Sequence, residues 1–408
     1  MTTSSTFAIV GGGLAGAKAA EALRDKDFDG RIVLFAAEDH LPYERPPLSK
    51  EYLAGKKELG DLTVASSAWY SDHHIDLQQG TEVSAIDRKA RTVSLPDGST
   101  VHYDKLLLAT GSQSRRPPIP GADAEGVHFL RTVDDADALN SALTEGSSLA
   151  VVGGGWIGLE VAAGARDRGV NVTVVEMAEL PLMAALGREV GEVFAALHRQ
   201  HGVDLRLGTS VQEITTAGGK ATGLKLGDGS TVDADAVLVA VGAAPNTALA
   251  EQAGLALGDG GVLVDSSLRT SDPDIFAVGD IAAAEHPLFG MRIRTEHWAN
   301  ALKQPAIAAA GMLEKPQEYT ELPYFFTDQY DLGMEYTGHA PHYERVVFRG
   351  NVDGREFVAF WLDRDNRVLA GMNVNIWDVL DDVKSLIRSR APVDPDRLAD
   401  PQQPLASA

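Results

Sequence analysis

Two glycine-rich loops carry the first chemistry readable in this chain. Gly11-Gly12-Gly13-Leu14-Ala15-Gly16 follows the apolar run 7–10, and Gly153-Gly154-Gly155-Trp156-Ile157-Gly158 follows the apolar run 149–152. Both have G-x-G-x-x-G spacing. In such a loop the first glycine makes a tight turn and the second lets a phosphate approach the backbone. The third lets a helix close on the strand, so that N–H groups at the helix N-terminus meet a pyrophosphate. A carboxylate about twenty residues further on accepts hydrogen bonds from a ribose diol. Glu176 stands there after the second loop and Glu38 after the first. Two such sites imply two dinucleotides exchanging a hydride.

The rest of the composition narrows this chemistry. Cysteine is absent, which excludes structural disulfides, Cys-ligated iron–sulfur clusters, thiolate zinc and any dithiol redox centre. A flavin is then the redox centre, with FAD at the N-terminal loop and NAD(P)H at the second. Lys+Arg number 36 against 58 Asp+Glu, a formal charge of −22. So acidic a chain is a poor match for nucleic acid or an anionic membrane. No segment approaches the roughly 18 apolar residues needed to span a bilayer. The N-terminal Met1-Thr2-Thr3-Ser4-Ser5-Thr6 stretch has neither a basic region nor an apolar leader core, so a cytoplasmic protein is expected. His198 and His201, on a helix predicted over 188–201, read as a solvated helix end, and no metal site is expected.

The elements that must position the loops form an internal repeat. Each copy reads strand, glycine loop, helix, strand: 7–10, 17–24 and 31–35, then 149–152, 159–168 and 171–175. Behind each comes an Asp-Gly turn, Asp97-Gly98-Ser99-Thr100-Val101 and Asp228-Gly229-Ser230-Thr231-Val232. A buried strand ending at Gly111 or Gly242 follows. The 408 residues suit two or three domains. Strands over 345–349, 356–362 and 367–372 and a helix over 375–387 make an α+β C-terminal part. The proline-bearing tail from Ala391 should have little regular structure.

Further segments carry a resemblance. Leu41-Pro42-Tyr43-Glu44-Arg45-Pro46-Pro47-Leu48-Ser49-Lys50, Ala109-Thr110-Gly111, Pro245-Asn246 and Ala277-Val278-Gly279-Asp280 resemble the FAD-dependent NADH:ferredoxin reductases. That family includes the putidaredoxin-reductase and dioxygenase-reductase types, and apoptosis-inducing factor is a relative. The resemblance spans about Phe7 to at least Met372. It implies an α/β fold with two Rossmann-like dinucleotide-binding domains in a glutathione-reductase-like arrangement, plus the C-terminal α+β domain. The implied limits are 1–115 with 247–320 for FAD, 116–246 for NAD and 321–408 for the last.

The resemblance also implies roles. Lys50 and Glu160 form an ion pair beside the flavin. Arg45, Val83 and Arg131 contact FAD, and Asp280 bonds the ribityl chain. Glu296-His297-Trp298 passes under the flavin and nicotinamide, and Gly242 faces NAD. The implied activity takes electrons from NADH through tightly bound FAD to a separate iron–sulfur ferredoxin that feeds an oxygenase. Two other readings stay open: a diaphorase or NADH oxidase, and a redox-sensing interaction protein like apoptosis-inducing factor. Arg292, Arg294 and Lys303 are the basic group nearest the Glu296-His297-Trp298 segment and the candidate docking patch. Two positions depart from the family. Ala37 stands at its usual ribose acid, where Glu38 is the nearest carboxylate, and Phe326 replaces a tryptophan near the flavin.

Overall fold

A computed structural model describes residues 5–405; residues 1–4 of the Met1 to Thr6 stretch read for a leader lie outside them. The chain divides into two units. One comprises Met1–Glu44, Leu59–Gln113 and Ala243–Pro323; the other comprises Arg45–Glu58, Ser114–Gly242 and Tyr324–Ala408.

In the first unit the apolar runs form a five-stranded parallel sheet. Its order is Ile275–Ala277, Lys105–Leu108, Thr6–Val10, Arg31–Phe35, Ile75–Gln78. Ala8, Ile9, Ile32, Leu34, Leu106 and Leu107 are all sealed from solvent. A strand covered on both faces needs apolar residues on both, so these read as continuous runs rather than alternations. The helix Leu14–Asp25 leaves the first strand through the glycine loop and buries Ala15, Ala19, Ala20 and Leu23. It packs on the helix Trp298–Met312. Sequence reasoning missed that second helix because Pro305 lies inside it, where proline normally breaks the ladder.

The second unit repeats the plan. Its parallel sheet runs Asp204–Leu207, Asn171–Glu176, Ser148–Val152, Ala236–Val239, Val127–His128. The strand after each glycine loop therefore has the same neighbours as its counterpart in the first unit. The Asp-Gly turns match atom for atom. Asp97 Oδ1 accepts from the Ser99 N–H and hydroxyl at 2.8 and 2.6 Å, and Asp228 Oδ1 accepts from those of Ser230 at 2.9 and 2.6 Å. Gly98 and Gly229 supply the left-handed backbone, with φ of +83° and +87°.

The C-terminal part of this unit is an antiparallel sheet ordered Tyr324–Gln329, Leu332–Gly338, Val368–Val374, Glu356–Leu362, Arg345–Asn351. The fold is thus α/β with two Rossmann-like sheets and an α+β C-terminal part. Three expectations are corrected here. Two strands, Tyr324–Gln329 and Leu332–Gly338, join the three that were read. The helix expected over 375–387 starts later, at Leu380–Ser389. Asn375 and Asp378 adopt left-handed φ of +51° and +64°, and the Asn375 side chain ties its turn to the Gly333 N–H and the Asp331 carbonyl. The proline-bearing tail is ordered through a short helix, Pro395–Ala399, capped by Asp394. Arg349 holds the tail by donating to the carbonyls of Leu398, Asp400, Pro401 and Gln403, and Leu398 is buried. Among the described residues no helix is long and apolar enough to cross a membrane.

Candidate dinucleotide sites and a buried ion pair

Each glycine loop is a cradle built by three different constraints. Gly11 has φ +122°, and a Cβ there would lie 2.1 Å from the Ala109 carbonyl oxygen; Gly153 has φ +106°, with 2.4 Å to that of Ala240. A side chain is excluded at both by backbone conformation and by space. At Gly16 and Gly158 a Cβ would meet the loop's own first carbonyl, at 1.9 and 2.2 Å. Gly13 and Gly155 differ, since a Cβ at either meets nothing within 4 Å. These two are the N-caps of the helices Leu14–Asp25 and Trp156–Asp167, in extended conformation with no side-chain cap. Most helices satisfy their first N–H groups with a Ser, Thr, Asp or Asn cap. Here the first turns are left open beneath clear space, the form that a pyrophosphate completes. The residues present therefore fit a dinucleotide at each loop.

The strand ends differ. Glu176 closes Asn171–Glu176, and its carboxylate accepts from the Gly154 N–H at 2.7 Å and the Ala178 N–H at 2.8 Å. Those bonds fix its orientation and leave lone pairs for two ribose hydroxyls. Val152 pairs with Val175 and Val10 with Phe35, so the register position of Glu176 falls on Ala36, one residue before the Ala37 expected from the resemblance. The middle glycine agrees: a Cβ on Gly154 would meet Glu176, and one on Gly12 would meet the Ala36 Cβ at 2.2 Å. Glu38 sits two residues beyond and accepts from the Tyr43 hydroxyl at 2.6 Å.

The rims differ as well. Ile157, Val241 and Met177 are 39%, 36% and 74% exposed, and all flank the second loop or Glu176. Exposed apolar groups gathered at one place mark a binding surface. Leu14 and Ala15, in the first loop, are buried. Gly242 has φ +99°, and its carbonyl accepts from the Arg115 N–H at 2.9 Å.

Around the first cradle, Asp280 is buried in the Gly279–Ile281 turn. Sequence reasoning missed the residue that holds this turn: Gln304 Oε1 accepts from the Gly279 N–H at 2.7 Å. Thr110 and Asn246 are cross-tied, Thr110 Oγ1 donating to the Asn246 carbonyl at 2.7 Å and Asn246 Nδ2 to that of Thr110 at 2.9 Å. Trp298 Nε1 donates to Glu44 Oε2 at 3.2 Å, and His297 is the N-cap of the following helix. Val83 belongs to the apolar core of this unit.

The expected basic patch is charge-compensated. Arg292 pairs with Glu285, Arg294 with Glu296 at 2.6 Å and Lys303 with Glu321 at 3.3 Å. Carboxylates of the chain itself take up the charge that was to meet a partner.

In the second unit Lys50 and Glu160 form the expected pair. Lys50 Nζ lies 3.0 Å from Glu160 Oε2, with side-chain exposures of 10% and 6%. Lys50 follows the 3-10 turn Pro46–Ser49, and Glu160 lies on the helix that opens at Gly155. Two further donors, not anticipated from sequence, complete the carboxylate. The Ser49 hydroxyl donates to Oε2, and Thr327 Oγ1 donates to Oε1 at 2.5 Å. A buried charge is tolerated when it is paired and fully hydrogen-bonded, and it costs several kcal/mol when one partner is removed. The ring of Phe326 lies 5.5 Å from Lys50 Nζ, within cation–π range. Nearby, Arg45 Nη1 donates to the Arg131 carbonyl at 2.5 Å. His198, expected at a solvated helix end, is instead buried and bonded to Gln329 at 2.8 Å.

Two open cradles in one chain define a two-dinucleotide oxidoreductase. Residues 5–305 match the family model described as pyridine nucleotide-disulphide oxidoreductase, and residues 324–408 match the one described as reductase C-terminal. The chain is 41% identical to the anthranilate 1,2-dioxygenase system ferredoxin–NAD(+) reductase component of Burkholderia cepacia, covering 98% of both. It is 37% identical to putidaredoxin reductase of Pseudomonas putida, covering 99% of this chain and 97% of that one. The crystal structure of the covalent putidaredoxin reductase–putidaredoxin complex superposes with a TM-score of 0.95 at 37% identity, covering 98% of this chain and 97% of the other. The chain belongs to the pyridine nucleotide-disulphide oxidoreductase family, in its ferredoxin reductase branch.

Proposed function

We propose that this chain is the NADH-dependent reductase component of an oxygenase system, passing electrons through tightly bound FAD to a separate iron–sulfur ferredoxin in the cytoplasm. FAD is assigned to 1–115 with 247–320 and NADH to 116–246. The observation that carries this reading is the pair of uncapped helix starts at Gly13 and Gly155, in a chain with no cysteine. When bound, the flavin supplies acceptance of a hydride and release of single electrons.

The chain's own residues bind, orient and exclude water. Gly11, Gly13, Leu14, Ala15 and Gly16 present N–H groups to the FAD pyrophosphate. Asp280 takes the ribityl hydroxyls, with Glu38, Arg45, Val83 and Arg131 as further contacts. The Gly153 to Gly158 loop takes the NADH pyrophosphate and Glu176 the adenosine ribose. Gly242 faces NADH, and Glu296-His297-Trp298 is the segment that passes under the flavin and nicotinamide. Lys50, aimed by Glu160, places a fixed positive charge where negative charge develops on reduction. The absence of any Lys or Arg from Met177 to Gly187 favours NADH, because a 2′-phosphate would face Glu176 unneutralised.

The test is turnover. FAD-loaded protein with NADH and an acceptor ferredoxin should reduce cytochrome c far faster than without the ferredoxin. Equal rates in the two reactions would favour a diaphorase.

A further inference from the structure

Behind the Lys50–Glu160 pair, starting from the Thr327 donor, runs a line of buried polar side chains. Thr327, Gln329 and His198 are each 1% exposed or less. Thr327 Oγ1 donates to Glu160 Oε1 at 2.5 Å, and Gln329 Nε2 donates to Thr327 Oγ1 at 3.2 Å. His198 Nε2 lies 2.8 Å from Gln329 Oε1, and the Tyr330 hydroxyl 3.5 Å from His198 Nδ1. His201 stacks on Tyr330 with ring centroids 3.7 Å apart.

Chemistry fixes the direction of every bond. An amide oxygen only accepts, so His198 must carry its proton on Nε2. Its Nδ1 is then bare and accepts from Tyr330. The amide NH₂ of Gln329 only donates, so the Thr327 hydroxyl accepts from it and gives its own proton to Glu160. All the donors therefore point one way, toward the carboxylate, and bonds in such a chain polarise one another. Burial pushes the His198 imidazole down to about 4, which agrees with a neutral ring. The amide at Gln329 does not pass protons readily, so this line orients and does not relay.

We propose that Thr327, Gln329 and His198 are positioning residues for the NADH reaction, a one-way hydrogen-bond line that fixes the Glu160 carboxylate and through it Lys50. This rests on the proposed function in taking Lys50 and Glu160 to act in flavin reduction.

Two measurements on the FAD-loaded protein test it. The first is ¹⁵N NMR of the histidines at pH 7. His198 should appear neutral and protonated on Nε2, and Gln329→Leu should shift its signals. A wild-type His198 protonated on Nδ1, or on both nitrogens, overturns the line. The second is stopped-flow reduction by NADH. Thr327→Val and Gln329→Leu should slow it about tenfold and about threefold, and Thr327→Ser should restore it to within about twofold, while the Gln329→Leu effect should vanish in a Glu160→Gln background. If Glu160→Gln slows reduction but Gln329→Leu adds its full effect on top, the positioning role fails alone. If Glu160→Gln leaves the rate unchanged, the proposed use of the ion pair fails and the positioning role with it.

Discussion

The two glycine cradles share a backbone and differ in what surrounds it. Each has a positive-φ first glycine pressed on a carbonyl, a second glycine under open space and a third packed on the first. At the strand end one has Glu176, oriented by two backbone N–H groups, and the other has Ala36, with its carboxylate displaced to Glu38. One is rimmed by exposed Ile157, Val241 and Met177; the other has Leu14 and Ala15 buried. The repeat thus preserves the loop geometry while the side chains around it differ. On our reading the cradle with the buried rim keeps FAD and the one with the exposed rim exchanges NADH.

The largest effects that could break this comparison come from the first glycines. Gly11→Ala should yield protein without flavin absorbance. Gly153→Ala should retain flavin and lose at least about a hundredfold in NADH affinity, since an alanine there meets both a forbidden φ and a carbonyl. Flavin loss from both variants would mean the cradles are not separable. Next come the second glycines. Gly13→Ala and Gly155→Ala meet no clash, so thermal melting of the ligand-free protein should shift by no more than about 2 °C. Flavin retention and NADH binding respectively should still fall about tenfold, because the methyl occupies phosphate space. A large drop in melting temperature would make these glycines structural. Glu38→Ala should weaken FAD by only about fivefold, one hydrogen bond's worth, as read by flavin release on dilution. A loss as large as that from removing Glu176 would make the two strand ends equivalent. The smallest effect is expected at Arg292→Glu. An exposed pair contributes about 0–1 kcal/mol, so ferredoxin-dependent turnover at low salt should change by less than about twofold.

Much of the scaffold was legible in the sequence because the loops are local. A G-x-G-x-x-G between an apolar run and a helix needs only its own neighbours, and the duplicated Asp-Gly-Ser-Thr-Val turn fixed the repeat. The Lys50–Glu160 pairing came from resemblance; nothing in the spacing of two residues so far apart predicts it. What stayed hidden depends on tertiary placement. Gln304 reaches Gly279 from a helix masked by Pro305, and Thr327 meets Glu160 with Gln329 and His198 lined up behind it, from one strand and one helix remote in sequence. A histidine at a helix end looks solvated until a sheet covers it. The basic residues at 292, 294 and 303 looked like a patch because their carboxylate partners could not be paired by eye.

The central claim is that Glu176 makes the second cradle an NADH site. Anaerobic stopped-flow reduction of the FAD-loaded protein, with NADH and NADPH side by side, tests it most directly in the wild type and in Glu176→Arg. In that role the carboxylate would contribute charge-assisted hydrogen bonds of about 1.5–3 kcal/mol to the ribose, so the wild type should favour NADH by at least about tenfold, and Glu176→Arg should erase or reverse that preference. A wild type reduced equally well by both nucleotides, or a Glu176→Arg protein with its NADH preference intact, would contradict the account.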